Sequence, residues 1–225
     1  MTECEKKLLL SEEAYNALME QFSSSRKPIV TQVNYYFDTD DFAMNRQDTT
    51  CRIRLKDGQY QATMKRHTAG TDQSTEAEME IYAGLDHNAF TDMGLKLWGA
   101  LTTHRCVLLK NPHLEVVLDK NEYLGYTDYE LEIEYLPEYE KEARAVLHFF
   151  QDALTRQKGF CKKIGYCETA PCKSNRFFKR IQKEKQHKKQ KIFLTMTAVV
   201  TMKFYTKGAA ANKTKNKKEI YNYGM

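Results

Sequence analysis

Polar side chains, nearly all of them ionisable, recur two residues apart in five short stretches of this chain. Glu3, Glu5 and Lys7 alternate with Cys4 and Lys6. Arg52 and Arg54 alternate with Cys51, Ile53 and Leu55, and Thr63 and Lys65 with Ala62 and Met64. Glu76, Glu78 and Glu80 are interleaved with Ala77, Met79 and Ile81, and Glu130, Glu132 and Glu134 with Leu131, Ile133 and Tyr135. Successive side chains of a strand point to opposite faces, so each stretch sets a charged face against a largely apolar one. A plain solvent face mixes Ser, Thr, Gln and both signs of charge. Here glutamates gather on some strands and arginines on others, and like charges so placed repel unless something of opposite sign lies between them. Glutamate triplets attract a hard divalent cation, Arg and Lys pairs attract an oxyanion, and a metal–polyphosphate complex supplies both. Faces of this kind can curl around such a ligand, turning the charged side into the lumen of a wet barrel.

The elements that must position these groups are mostly strands. Strand-length stretches are expected at 33–38, 51–55, 60–66, 76–82, 114–120 and 129–135, with turn signals at Lys56-Asp57-Gly58 and Ala69-Gly70-Thr71-Asp72. Ser11 is placed to cap a helix with Tyr15, Leu18, Met19 and Phe22 on one face. A weaker helix is expected from Asp86, with Phe90, Met93, Leu97, Trp98 and Leu101 on one side and Gly94 and Gly99 against it. A stronger one follows Pro137, with Ala143, Val146, Leu147, Phe150 and Leu154 at helical spacing. Strands without alternating helices predict an α+β fold with an antiparallel sheet.

Composition narrows the classes further. The 225 residues are 41% hydrophobic and 29% charged, enough for one large domain with a sizeable core. No apolar run approaches the roughly 20 residues of a membrane span. The charged segment Met1 to Lys7 lacks the order of a signal peptide, so a cytoplasmic location with reduced thiols is expected. Cys161, Cys167 and Cys172 cluster, but without a C-x-x-C pair or a spaced His pair they do not predict zinc. The six histidines are scattered. The net charge of +5 belongs to the end of the chain: residues 181–225 hold eleven Lys, no Arg and two Glu, whereas 1–180 hold 24 basic and 28 acidic groups. Basic character therefore argues for no nucleic-acid partner of the body. Residues 181–225 are expected to be a basic, low-complexity, poorly ordered tail, with a Thr-rich apolar patch at Ile192 to Met202.

Glu3-Cys4-Glu5-Lys6-Lys7 resembles the N-terminal Glu-x-Glu-x-Lys signature of the CYTH superfamily, the triphosphate tunnel metalloenzymes. The resemblance continues in order through Asn34-Tyr35-Tyr36-Phe37-Asp38-Thr39, Cys51-Arg52-Ile53-Arg54, Thr63-Met64-Lys65 and the Glu76 to Glu80 stretch. It goes on through Arg105, Leu118-Asp119-Lys120 and Tyr129 to Glu134, covering about residues 1–180. The chain looks most like the bacterial inorganic-triphosphatase or thiamine-triphosphatase branch. The resemblance implies an eight-stranded antiparallel β-barrel, the triphosphate tunnel, with flanking helices and with Mg2+ or Mn2+ as cofactor. It implies metal ligation by Glu3, Glu5, Glu130 and Glu132, and by Glu78 with Glu76 or Glu80 as alternatives. It implies phosphate binding by Lys7, Arg52, Arg54, Lys65 and Arg105, with a C-terminal contact from Lys173 or Arg176. The chain departs from the family at Cys51, where Leu often precedes Arg-x-Arg, and its C-terminal basic element, Lys173-Ser174-Asn175-Arg176, matches only loosely.

The reaction expected is metal-dependent hydrolysis of inorganic tripolyphosphate or an organic triphosphate such as thiamine triphosphate. Its barrier is mainly one of charge and positioning, which Lys, Arg and hard cations lower. Water attacks the terminal phosphorus and orthophosphate leaves, with Glu132, Glu134 and Lys7 as the catalytic candidates. Two alternatives stand beside it: a class IV-type adenylate cyclase forming cyclic AMP from ATP, and a non-catalytic polyphosphate or nucleotide sensor. The partner expected is a small-molecule triphosphate, with homodimerisation left open.

Overall fold

Strict two-residue alternation produces strands wherever it runs unbroken, and the computed structural model has eight of them. It describes residues 2–68, 71, 73–81, 90–156, 171–188 and 190. The strands are β1 (Thr2–Leu10), β2 (Val30–Asp38), β3 (Thr49–Lys56), β4 (Gln59–His67), β5 (Gln73–Ile81), β6 (Lys96–Lys110), β7 (Leu114–Tyr123) and β8 (Tyr126–Tyr135). Every pairing is antiparallel, and the order β1-β5-β4-β3-β2-β6-β7-β8 closes on itself when β8 pairs with β1. The expected eight-stranded antiparallel barrel is therefore present. Tight hairpins help to set its register: Asp57-Gly58 joins β3 to β4 and Leu124-Gly125 joins β7 to β8. All four of these residues have positive φ, as turns matching the strands' right-handed twist require.

The apolar faces of the strands point outward, onto helices. Helix α1 (Glu12–Gln21) starts where Ser11 Oγ accepts from Ala14 N at 3.2 Å. After α2 (Ala43–Arg46) and all eight strands, a 3-10 turn at Pro137–Tyr139 leads into α3 (Glu140–Arg156). Leu8, Leu118, Leu131 and Ile133 pack against Ala14, Tyr15 and Leu18 of α1 and Ala143, Leu147, Phe150 and Leu154 of α3. A second outer cluster joins Phe37, Cys51, Ile53 and Ala62 to Phe90 and Leu95. Each fully buried aliphatic side chain contributes roughly 1.5–3 kcal/mol. The hydrophobic core thus lies outside the barrel wall, and the lumen is free to be polar.

The helix expected from Asp86 is corrected. Residues 82–89 lie outside the described residues, 90–94 form a turn, and Leu97, Trp98 and Leu101 belong to β6. The apparent helical spacing arises from a bulge: Tyr36 pairs with Gly99 and Phe37 with Leu97, so Trp98 is the extra residue of the bulge and the period of two breaks. Gly99 adopts φ 149°, and a Cβ there would come within 3.1 Å of Phe177.

Residues 173–178 are helical and seat Phe177 and Phe178, both fully buried, beside Tyr36 at ring separations of 5.0 and 6.0 Å. By contact the chain divides into Met1–Phe178 and Lys179–Met225. Within the second unit 179–188 are helical, while the apolar patch and the low-complexity end lie outside the described residues. No helix among the described residues is long and apolar enough to cross a membrane. Cys4, Cys51, Cys106 and Cys172 form no disulfide among the described residues, and Cys161 and Cys167 lie outside them.

Candidate functional site

The inward faces of the strands meet in a cavity of about 140 Å³, space on the order of ten water molecules. Glu5 and Lys7 of β1, Arg52 and Arg54 of β3, Lys65 of β4, Arg105 of β6, Glu132 and Glu134 of β8, and Lys173 line it together. Nine of the residues singled out from the sequence are thus neighbours in space, though they span most of the chain.

One wall is a dense ionic lattice. Lys7 Nζ donates to Glu132 Oε1 at 2.7 Å and lies 3.0 Å from Glu5 Oε1. Arg105 grips Asp119 with two parallel hydrogen bonds, Nε to Oδ1 at 3.0 Å and Nη2 to Oδ2 at 2.8 Å. It also reaches Glu132 at 2.5 Å and Glu134 at 3.0 Å. Barrel register explains why so many cations are needed: Glu5 lies opposite Glu134, and Asp119 opposite Glu130, as cross-strand pairs of like charge. Between Asp119, Glu130 and Glu132 sits the Lys173 ammonium, at 2.9, 2.5 and 2.8 Å from their oxygens.

Burial would push the Glu130 and Glu132 carboxyls up, and the cations outweigh it. Glu132 is held well below the usual carboxylate range by Lys173, Lys7 and Arg105, and Glu130 is lowered by Lys173 and Arg176. Burial raises Glu5 too, but Lys7 and Lys65 bring it down to about 2. The same attraction works on the cations: burial alone would lower Lys7, and Glu132 and Glu5 keep it well above its ordinary value.

The facing wall is different. Arg52 Nη2 donates to Glu76 Oε1 at 3.0 Å, and Arg54 Nε donates to the neutral Asn34 Oδ1 at 3.1 Å. Burial, followed by repulsion from Arg52 and Arg105, brings Arg54 down to about 10. Such a guanidinium gains most from an incoming anion, which it can bind through two parallel hydrogen bonds.

Two of the expected site residues sit elsewhere. Arg176 does not line the cavity; one helical turn beyond Lys173, its guanidinium lies 2.9 Å from Asp128 and 2.9 Å from Glu130. Glu130 is fully buried behind the lining, where Asn121 Nδ2 donates to it at 2.9 Å. Glu3 and Glu78 belong to β1 and β5, and their side chains lie outside the described residues. Glu76, an alternative to Glu78 from the sequence, is the glutamate of β5 that pairs with Arg52.

Sequence reasoning gave no role to Asp119, Asn34 or Cys172. Asp119 shares its inward parity with Val117 and Asn121, all fully buried, so its strand shows no run of charge to mark it. Cys172 Sγ lies 3.0 Å from Ser174 Oγ. Burial would raise that thiol, but hydrogen bonding to His67 and the nearby Lys7 bring it to about 7.

Asp119, Glu130 and Glu132 each offer a buried carboxylate oxygen, all within 4.8 Å of one another. Hard oxygen donors at that separation fit Mg2+ or Mn2+ and are ill suited to a soft metal.

Comparison with known proteins extends the likeness. A family model described as the CYTH domain matches residues 1–160. The chain is 29% identical over 146 residues to YjbK of Bacillus subtilis, a protein named as a triphosphatase, covering 59% of this chain and 76% of YjbK. A Bacillus halodurans structure described as an adenylate cyclase aligns with TM-score 0.52 at 27% identity, covering 66% of this chain and 89% of that one. HpAC1 from Hippeastrum, an adenylyl cyclase by name described as having a dominant triphosphatase activity, aligns with TM-score 0.52 at 21% identity. There the cover is 67% of this chain and 86% of that chain, and the likeness is one of fold.

Proposed function

The chain belongs to the CYTH domain family, and on that premise we propose that it hydrolyses a triphosphate with a divalent cation, releasing orthophosphate from the terminal position. The observation that carries this reading is a cavity of converging Arg and Lys side chains backed by a buried three-carboxylate cluster, which reaches the lining through Glu132. A pure anion binder has no use for the carboxylates, and a pure metal site has none for Arg52, Arg54 and Lys65.

In this reading Arg52, Arg54 and Lys65 hold nonbridging phosphate oxygens from one side, and Lys7, Arg105 and Lys173 from the other. Arg54 gives up repulsion from its guanidinium neighbours when it does so. Asp119, Glu130 and Glu132 would hold the cation, with Glu5 beside them and Glu3 and Glu78 as further ligands on the family pattern. The cation supplies Lewis-acid neutralisation of phosphoryl charge. Glu132, kept ionised by Lys173, Lys7 and Arg105, orients the attacking water through its carboxylate oxygens, with Glu134 next to it. Lys7 stabilises charge that builds on the transferred phosphoryl group. Arg176 acts from behind, fixing Glu130 and Asp128 rather than touching substrate.

The test is a panel of tripolyphosphate, thiamine triphosphate and ATP with Mg2+ or Mn2+, scored for orthophosphate and for cyclic AMP. Orthophosphate from at least one triphosphate is expected. Cyclic AMP with pyrophosphate from ATP would move the chain to cyclase chemistry on the same scaffold. Anion binding that persists in excess chelator, with nothing hydrolysed, would make it a sensor.

A further inference from the structure

Lys173 holds a position that a metal would otherwise take. Its ammonium contacts one oxygen of each carboxylate in the cluster, at 2.9 Å from Asp119, 2.5 Å from Glu130 and 2.8 Å from Glu132. Those three side chains are at most 3% exposed. A monovalent ammonium and a divalent ion cannot share that focus, because their repulsion in a poorly screened interior is large.

The backbone beneath Lys173 is pinned. Ser174 Oγ lies 2.6 Å from Thr50 Oγ1, Asn175 Oδ1 accepts from Asn45 Nδ2, Arg176 lies on Asp128, and Phe177 is fully buried. The side chain is not pinned in this way: four methylenes carry its charge, and the same residue lines the anion cavity. Turning further into that cavity brings the ammonium toward Lys7, Lys65 and Arg54. The lining carboxylates Glu5 and Glu76 are already paired with Lys7, Lys65 and Arg52, so an incoming anion favours the move.

We propose that the Lys173 ammonium is an internal stand-in for the metal, filling the Asp119–Glu130–Glu132 cluster until a divalent cation enters and then swinging into the cavity as a contact for the triphosphate. This deepens, and rests on, the metal-dependent triphosphatase reading. It makes metal and anion mutually supportive through one side chain: the cation releases the ammonium, and the anion receives it. By linkage each then tightens the other.

The full chain and its Lys173→Met variant, an uncharged side chain of similar length, are titrated with Mn2+ in the absence of any triphosphate. The variant is expected to bind about tenfold more tightly or better, its competitor having been removed. In parallel, the unaltered chain is reductively methylated and Lys173 modification is read by mass spectrometry. Reactivity is expected to be low without metal, to rise with saturating Mg2+, and to fall again when tripolyphosphate is added. Equal or weaker Mn2+ binding by a folded variant overturns the exchange. Tighter binding with Lys173 reactivity unmoved by Mg2+ also overturns it, since that pattern needs only repulsion through space. Should the variant fail to fold, the methylation arm decides alone. Orthophosphate release by the unaltered chain is scored separately, so a chain that hydrolyses triphosphate but shows no exchange loses this inference and keeps the reaction.

Discussion

The two walls of the lumen treat their ionisable groups in opposite ways. On the wall built from β1, β6, β7 and β8, the carboxylates are interlocked with Lys7, Arg105 and Lys173, and Glu5, Glu130 and Glu132 are driven below their ordinary range. On the wall built from β2 and β3, Arg54 leans on a neutral amide and is weakened as a cation by burial and by its neighbouring guanidiniums. The first wall is satisfied from within the chain. The second is held in readiness for something from outside. In the proposed reading, a cavity with one saturated wall and one expectant wall would take up an anion directionally and keep the carboxylate side ordered beforehand.

Four experiments break or sharpen that contrast. The largest effect is expected from Glu132→Gln, which removes the charge that the saturated wall is organised around. Turnover should fall at least about 100-fold, beyond ~2.7 kcal/mol of barrier, with a native circular dichroism spectrum. Unchanged turnover in the folded variant would remove Glu132 from its role. Arg54→Met tests the opposite wall: KM for tripolyphosphate should rise by about tenfold to a hundredfold, the range for a charge-assisted hydrogen-bonding group. The thermal midpoint of the ligand-free variant should rise rather than fall, because a repelled buried cation is gone; a lower midpoint would show that Arg54 is a structural partner instead.

The third experiment uses acid. Glu5 has its folded value depressed to about 2 from an ordinary 4.5. Its ion pairs therefore add stability that is fully present above about 4.5 and is lost as pH falls from there toward about 2. Urea midpoints across that window should drop steeply for the unaltered chain and less steeply for Glu5→Gln. Parallel curves would assign the acid sensitivity to other carboxylates. The smallest effect is expected from removing residues 191–225, which should leave triphosphatase turnover within about twofold. A folded but inactive truncation would mean that the two walls are not sufficient.

Much of this was legible in the residues because charge alternation and apolar alternation are the same signal seen from two sides. Where Glu130 to Glu134 and Arg52 to Arg54 kept the period of two, both the strand and its lumen face could be read. Strand β6 could not be: the bulge at Trp98 shifted the phase, and Gly94 and Gly99 imitated the punctuation of a poor helix. Asp119 escaped notice because Val117 shares its face, so no local run of charge pointed to it. Lys173 and Arg176 were indistinguishable by spacing. One turn of helix separates a side chain that enters the cavity from one that braces its rear, and the packing of Phe177 and Phe178 together with the contacts of Ser174 and Asn175 fixes which is which.

Because α1, α3 and the cluster around Phe37 and Phe90 grip the barrel from its exterior, much of its shape does not depend on the charged groups that fill the middle. Lumen residues can then be exchanged as a set, for a longer anion or a different leaving group, while the strands stay in register. In a molecule with its oil on the outside, new chemistry is a change of lining rather than a change of fold.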